Sequence, residues 1–465
     1  MPTGQENIWG KEMLHYQELK DLLPQTKEET AKIINLDQSA EIKSSELSKI
    51  VVKGNQSLNG KIQISGAKNS ALKLMCACLL TDQPMQITNM PTALRDIKTL
   101  AILLRHLGMT IAMRDDGVCI FRAGDIKSTC APYDLVRKMR ASVLVLGPLL
   151  TRFGDAKVSL PGGCAIGSRP VDLHILGLEK MGAKISIEEG YIHASAPNGL
   201  KGAEIDFPVV SVGATENTMM AATLAKGTTI IKNAAKEPEI SDLGNMLISM
   251  GAKIQGLGTD TITITGVEKL GGSTFSVIPD RIEAGTWAIG AVMTNGKVEL
   301  ENIPKSLLGN LIDKLILAGA EIVENGKNLV ISRKSDHIIP VDITTEAHPG
   351  FPTDLQAQFM SMMTVANGTS TITETIFENR FMHVPELARM GAKISTSGNK
   401  ATIEGTEQLK GAEVMATDLR ASVALVLAGM VADGTTTINR IYHLERGYEN
   451  IVQKLAACDV DIEKI

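Results

Sequence analysis

Aromatic rings are scarce in this chain: 8 Phe, 5 Tyr and 2 Trp, or 3% of 465 residues. A surface that stacks bases wants more rings and a basic balance, whereas 47 Lys+Arg against 52 Asp+Glu leave a net charge of -5. Both features argue against a nucleic-acid partner. No apolar run reaches the roughly 18 to 20 residues that a membrane-spanning helix needs. Residues 1–10 carry no apolar signal-peptide core, and the acidic stretch behind them is unlike a mitochondrial presequence, so a cytoplasmic chain without membrane insertion is expected. Cysteine is sparse and irregularly spaced (Cys76, Cys78, Cys119, Cys130, Cys164 and Cys458), which fits a reducing compartment rather than a disulfide framework. Cys76 and Cys78 lie in an Ala/Leu/Met segment and read as buried small hydrophobes. No His/Cys/carboxylate cluster has ligand spacing, so neither a metal nor a cofactor is called for. What remains, 44% hydrophobic and 21% charged, is the composition of a globular chain long enough for two or three domains.

A short phrase recurs along it. It reads Leu107-Gly108-Met109, Met181-Gly182-Ala183, Met250-Gly251-Ala252, Ala318-Gly319-Ala320, Met390-Gly391-Ala392 and, degenerate, Ala457-Cys458-Asp459, at intervals of 67 to 74 residues. Each copy follows a helical apolar pattern such as Ile97, Leu100, Leu104, Leu107 and precedes an alternating run such as Lys184-Ile185-Ser186-Ile187. The phrase therefore reads as helix, glycine C-cap, strand. A second phrase, as in Lys226-Gly227-Thr228 and Asp433-Gly434-Thr435, is a tight turn into another strand. The chain is thus six repeated α/β units.

The sixth unit stops at Ile465 after its first strand beyond the turn, and the free β-rich segment at residues 49–66 is expected to cover that edge. Units one to three then form a first lobe, residues 70–279. Residues 49–69 plus 280–465 form a second, with a hinge near 66–70 and 279–281 where the backbone crosses twice. A cleft between lobes is a common ligand site. Residues 1–48 fall outside the count. They form a loosely held extension in which Leu14, Leu19, Leu22 and Leu23, ahead of Pro24, suit one short amphipathic helix.

Four places break the repeat, and departures are where function is sought. Lys68, in Ser65-Gly66-Ala67-Lys68-Asn69, reads equally as an anion ligand at a helix start or as a solvated loop lysine. The stretch Pro161-Gly162-Gly163-Cys164-Ala165-Ile166-Gly167-Ser168-Arg169 is a glycine-rich, proline-bounded loop holding one thiol beside a guanidinium, a setting that lowers a thiol pKa. It is not a phosphate-binding P-loop, because Gly167 is followed by Ser-Arg instead of Lys-Ser/Thr. Arg137 and Arg140 on a helix from Tyr133, with Arg169, Arg380, Arg420 and Arg446, would suit a small, highly charged anion if they converge, and are surface side chains otherwise. Asp354, in Phe351-Pro352-Thr353-Asp354, stands at a helix start, where capping is an equal explanation.

Together these residues resemble the UDP-N-acetylglucosamine 1-carboxyvinyltransferases, an enolpyruvyl transferase family of bacterial peptidoglycan synthesis. The resemblance runs from about residue 50 to 465. It is most specific at Ser65 to Asn69, Met139-Arg140-Ala141-Ser142, residues 161–174 and 211–217, Phe351 to Phe359 and Arg446-Gly447-Tyr448. It implies a two-lobed inside-out α/β barrel, three units per lobe, and two partners, phosphoenolpyruvate and UDP-N-acetylglucosamine. By resemblance, Cys164 looks like the thiol that protonates the phosphoenolpyruvate methylene carbon and the target of the epoxide inhibitor fosfomycin. Lys68, Arg169 and Arg446 look like phosphate and carboxylate ligands. Asn69, Arg140, Arg169, Pro170, Val171, Asp172, Leu173, His174, Ser211, Val212, Asp354 and Ile376 look like nucleotide-sugar contacts, with Asp354 also the proposed base. Val209 departs from the lysine some members place there. The sister enzyme of the shikimate pathway shares the lobes but lacks the thiol loop. A catalytically silent nucleotide-sugar-binding regulator is disfavoured by the presence of Lys68, Cys164, Asp354 and Arg446 together. Oligomeric state is open, with a monomer expected.

Overall fold

A computed structural model describes residues 32–34, 36, 48–137, 139–162, 166–167 and 170–465. Cys164, Arg169 and the segment with Leu14 to Pro24 lie outside the described residues. The chain divides into two compact units. The first holds the described residues of 32–36, 68–162 and 170–278; the second holds 48–67, 166–167 and 279–465.

Each unit contains three four-stranded sheets of one design. The first strand runs parallel to the second, the third antiparallel to the second, and the fourth pairs antiparallel with the third at an open edge. In the first unit the sheets are Ser273–Ser276, Met85–Thr88, Cys119–Arg122, Thr110–Met113; then Cys130–Ala131, Asp155–Ser159, Tyr191–Ser195, Lys184–Glu188; then Glu204–Asp206, Thr228–Lys232, Thr261–Thr265, Lys253–Gln255. In the second unit they are Asn59–Gln63, Lys297–Glu301, Asn328–Arg333, Ala320–Asn325; then Ile343–Thr344, Thr369–Thr373, Lys400–Glu404, Lys393–Ser397; then Glu413–Met415, Thr435–Asn439, Ile50–Lys53, Ile462–Lys464. The α/β class and the count of six are both met.

The amino-terminal segment does more than cover an edge. Ile50–Lys53 is an interior strand of the sixth sheet, between Thr435–Asn439 and Ile462–Lys464, where it takes the place that the return strand holds in the other five sheets. Asn59–Gln63 then joins the fourth sheet, parallel to Lys297–Glu301. The last strand of the first unit, Ser273–Ser276, likewise returns to the first sheet, so each unit closes its own ring of three sheets.

The phrase that marks the repeat has a backbone cause. Gly108, Gly182, Gly251, Gly319 and Gly391 all hold positive φ, between 91° and 110°, the left-handed turn that ends a helix and that a side chain resists. In the sixth copy this conformation falls on Asp459 (φ 63°), one residue past Cys458, which the repeat alignment places opposite the glycine. Cys458 is instead a buried core residue.

Within each unit one set of helices is buried all round and enclosed by the sheets. Every residue of Arg281–Met293 except Arg281 is buried, as is all of Gln356–Met363, and these two pack on each other and on Leu419–Val431 around Trp287, Phe351 and Phe359. The second set, exemplified by Arg95–Leu107, is amphipathic and turns its polar face outward. No described helix is long and apolar enough to cross a membrane.

Candidate active site

In the second unit, Pro352 leads into a short 3-10 turn, Thr353–Leu355, before the Gln356–Met363 helix. Asp354 does not cap that helix, which has no side-chain cap. Its carboxylate is held by two arginines instead: Arg380 Nη2 donates to Oδ1 at 2.8 Å, and Arg420 Nη2 to Oδ2 at 3.0 Å. The guanidinium-bearing side chains are only 4% and 5% exposed, against 28% for Asp354, so the carboxylate is the open member. Arg420 sits in the first turn of Leu419–Val431, whose N-cap Asp418 accepts from the Arg420 and Ala421 N–H groups at 2.9 and 3.1 Å. Burial alone lowers the Arg420 pKa, yet the pull of Asp354, Tyr448 and Asp280 outweighs it and carries the group above its ordinary value.

The Tyr448 ring lies 5.6 Å from the Arg420 guanidinium, and its hydroxyl is shared with Thr286 at 2.9 Å and Gln358 at 3.1 Å. Arg446, half-buried, ends the 3-10 turn Ile441–Arg446, two residues before that tyrosine. Ile376 is presented by a carboxylate that sequence reading passed over. Glu374 accepts from the Ile376 and Phe377 N–H groups at 2.8 and 3.1 Å and from the Thr345 and Thr353 hydroxyls, both at 2.9 Å. The backbone is thereby fixed while the Ile376 side chain stays exposed. Ile166, the first described residue past Cys164, offers its carbonyl to the Asn379 N–H at 3.1 Å.

In the first unit, Lys68 opens the Lys68–Ala77 helix and is buried. Its Nζ lies 3.2 Å from Asp96 Oδ2, which rules out the solvated-loop reading. Asn69 is half-buried beside it, and this helix packs against the Arg140–Val145 turn. Arg140 is not on the helix from Tyr133: that helix ends at Val136, and Arg140 begins a separate 3-10 turn. Its Nη2 donates to the Pro170 carbonyl at 3.2 Å, tying it to the run Pro170, Val171, Asp172, Leu173, His174 that enters the Asp172–Lys180 helix. Arg137, paired with Asp134 at 3.4 Å on the surface, is an ordinary exposed arginine.

Buried His174 has its Nδ1 3.1 Å from Asn217 Nδ2, and Asn217 Oδ1 accepts from the Gly147 N–H at 2.7 Å. A Cβ at Gly213 would stand 3.0 Å from the His174 ring, so glycine is what lets the imidazole lie on this helix start. Ser211 caps the Val212–Ala222 helix, accepting from the Ala214 N–H at 3.3 Å, and Val209 just before it is 59% exposed. Arg140, Pro170 to His174, and Ser211 with Val212 are thus tied to one another. Behind them lie groups that sequence reading missed: Lys73 paired with Glu216 at 3.3 Å, and Ser70 donating to Asp242. Burial pushes Glu216 up to about 7 and Asp242 up to about 6. Among the described residues no cluster of three or more His, Cys, Asp or Glu could hold a metal ion.

A family profile described as EPSP synthase (3-phosphoshikimate 1-carboxyvinyltransferase) matches residues 52–455. Much nearer in sequence is a UDP-N-acetylglucosamine 1-carboxyvinyltransferase of Caulobacter sp. (strain K31), 57% identical over 422 residues, covering 90% of this chain and 98% of the relative. The chain belongs to the UDP-N-acetylglucosamine 1-carboxyvinyltransferase branch of the EPSP synthase family. A member from Paracoccus denitrificans (strain Pd 1222) is 56% identical, covering 90% of this chain and 99% of its own length. Among solved structures, the enolpyruvyl transferase NikO from Streptomyces tendae matches with TM-score 0.80 at 23% identity, covering 90% of this chain and 99% of that one. EPSP synthase from Acinetobacter baumannii matches at 0.70 and 18%, covering 90% and 100%. These two speak for the shared fold. The sequence resemblance to the enolpyruvyl transferase family is therefore upheld, and this branch, not the shikimate one, carries the high identity.

Proposed function

We propose that this enzyme transfers the enolpyruvyl group of phosphoenolpyruvate to the 3'-hydroxyl of UDP-N-acetylglucosamine, releasing phosphate, as the first committed step of peptidoglycan synthesis in the cytoplasm. The observation that carries the reading is the pair of buried arginines, Arg380 and Arg420, behind the open carboxylate of Asp354 in a chain of this kinship. In the addition step the sugar oxygen bonds to C2 while the methylene carbon takes a proton, which the Cys164 thiol supplies. Elimination returns a proton from that carbon and breaks the C2–O bond to phosphate, leaving the enol ether.

Lys68, Arg169 and Arg446 are assigned to neutralising the phosphoenolpyruvate anion. Asn69, Arg140, Arg169 to His174, Ser211, Val212 and Ile376 are assigned to the nucleotide sugar. Asp354 accepts the hydroxyl proton. Two guanidinium neighbours occupy both oxygens of that carboxylate. A substrate carboxylate that draws one arginine away would free an oxygen for the proton when substrate is in place, so the clamp couples occupancy to chemistry.

Phosphate release measured with phosphoenolpyruvate and UDP-N-acetylglucosamine is expected, and none with shikimate 3-phosphate; the reverse pattern, or no release with either, overturns the proposal. Fosfomycin should label Cys164. The competing thiols are poor ones: Cys76, Cys78 and Cys119 are buried and pushed above their ordinary pKa by that burial. Half-buried Cys130 is the informative control, because mass spectrometry that finds the adduct there removes Cys164 from its role.

A further inference from the structure

Each of the six sheets has one edge strand held antiparallel to its neighbour, and five of these six antiparallel edges are marked by charge. Lys184–Glu188 carries Lys184 and Glu188, Lys253–Gln255 carries Lys253, and Ala320–Asn325 carries Glu321 and Glu324. Lys393–Ser397 carries Lys393, and Ile462–Lys464 carries Glu463 and Lys464. Charge on an edge strand is the usual protection against pairing with another chain. The sixth edge, Thr110–Met113, reads Thr-Ile-Ala-Met, without a charge, and Ile111, Ala112 and Met113 are buried.

What continues this edge is the described part of the amino-terminal extension. Ile33 pairs antiparallel with Arg114, directly after the strand. The Ile34 N–H donates to the Met113 carbonyl at 2.9 Å, the Asp115 N–H to the Lys32 carbonyl at 3.0 Å, and the Lys32 N–H to Asp115 Oδ1 at 2.9 Å. The Ile33 side chain joins Ala112, Ile120 and Val118 in a small apolar cluster of its own. Ala112 and Ile120 are cross-strand partners, so by alternation this cluster lies on the sheet face opposite Ile111, Met113, Cys119 and Phe121. Residues 32–34 precede the family match, which begins at residue 52, and the relative that is covered over 98% of its length accounts for only 90% of this chain. The strap is an addition to the family fold, laid at the one antiparallel edge strand that lacks charge.

We propose that residues 32–34 are an intramolecular edge cap, and that with the cap unseated the Thr110–Met113 edge pairs with the same edge of a second copy of this chain. Two antiparallel copies of one edge satisfy each other about a two-fold axis and close, giving a dimer and not a fibre. Ala112, Ile120 and Val118 supply the apolar face that Ile33 otherwise covers.

The test keeps the full chain. Ile34→Pro deletes the donor to Met113, and Ile33→Asp sets a charge against the apolar cluster. The double variant should show faster hydrogen exchange at the Asp115 amide and should sediment as a dimer across a micromolar series in which the unaltered chain stays monomeric. Adding Ala112→Lys, a charge of the kind the other edges carry, should return it to a monomer while the Asp115 amide stays unprotected. Unchanged exchange at Asp115, a variant that remains monomeric with the strap released, a dimer that survives Ala112→Lys, or an unaltered chain that dimerises equally well would each overturn the proposal.

Discussion

The two units share one architecture, but one ion-paired group in each buries charge in opposite ways. In the first, the pair of Lys73 and Glu216 is closed at both ends, its side chains 10% and 1% exposed. In the second, Arg380 and Arg420 are shut in while their common partner Asp354 opens to solvent. The first arrangement consumes its charge internally, and burial drives Glu216 and the nearby Asp242 toward neutrality. The second keeps two positive charges fixed behind one exchangeable anion. A carboxylate that can be displaced suits a site for an anionic ligand; a carboxylate with nowhere to go suits a core.

The sharpest way to break this comparison is to remove one cation from each unit. Arg420→Met should lower kcat/KM by at least about 100-fold and cost about 3 kcal/mol, the lower end for breaking a buried pair, because Asp354 retains Arg380 and some water. Lys73→Met should cost about 1 kcal/mol, because Glu216, already raised to about 7, takes up a proton instead of remaining a bare buried charge. Denaturant unfolding and steady-state kinetics on both variants decide the matter. Equal losses of turnover would mean that the first unit's pair serves substrate as directly as the clamp does.

Acid and base should then act with opposite sign on one buried group in each unit. His383 is fully buried, neither ring nitrogen has a hydrogen-bond partner, and burial pushes it down to about 4 against the raising influence of Asp418. A depressed histidine contributes stability that is present above its unfolded pKa of about 6.5 and is lost as pH falls toward 4. Glu216 is raised, so its contribution is present below its ordinary 4.5 and is lost as pH climbs through about 7. From pH 7 to 5 the His383 contribution to the second unit, followed through buried Trp287, should therefore fall by up to about 2 kcal/mol. His383→Asn should flatten that limb, and Glu216→Gln should flatten the alkaline limb of the first unit. A histidine variant as acid-sensitive as the unaltered chain would show that His383 does not titrate on unfolding.

What the sequence made legible follows from the range of the forces involved. A left-handed helix end is a local demand, so five glycines and a 67- to 74-residue interval were enough to count the units. The resemblance supplied Lys68 and Asp354, but not what holds them. Asp96 is 28 residues from Lys68, and Arg420 is 66 from Asp354. Nothing at either position announces its partner, because such a pair forms only when two helix starts are brought together by packing. The interior placement of Ile50–Lys53 was hidden for a similar reason: alternation identifies a strand but not its neighbours. The three-residue strap at 32–34 is shorter than any periodicity can register.

The smallest expected effects lie at two helix caps, where the comparison can be sharpened most finely. Ser211 satisfies one N–H of the Val212–Ala222 helix with a neutral oxygen, so Ser211→Ala should cost about 1 kcal/mol and raise KM for the nucleotide sugar more than it lowers kcat. Asp418 satisfies two N–H groups with a charged oxygen, and one of them belongs to Arg420, so Asp418→Ala should cost nearer 2 kcal/mol and also lower kcat. Asparagine caps a helix about as well as aspartate but brings no charge. If Asp418→Asn restores both melting temperature and turnover, Asp418 acts only by fixing the backbone under Arg420. If it restores stability and leaves turnover low, the negative charge itself belongs to the electrostatic balance that keeps the clamp poised, and the second unit's site extends one residue deeper than the arginines.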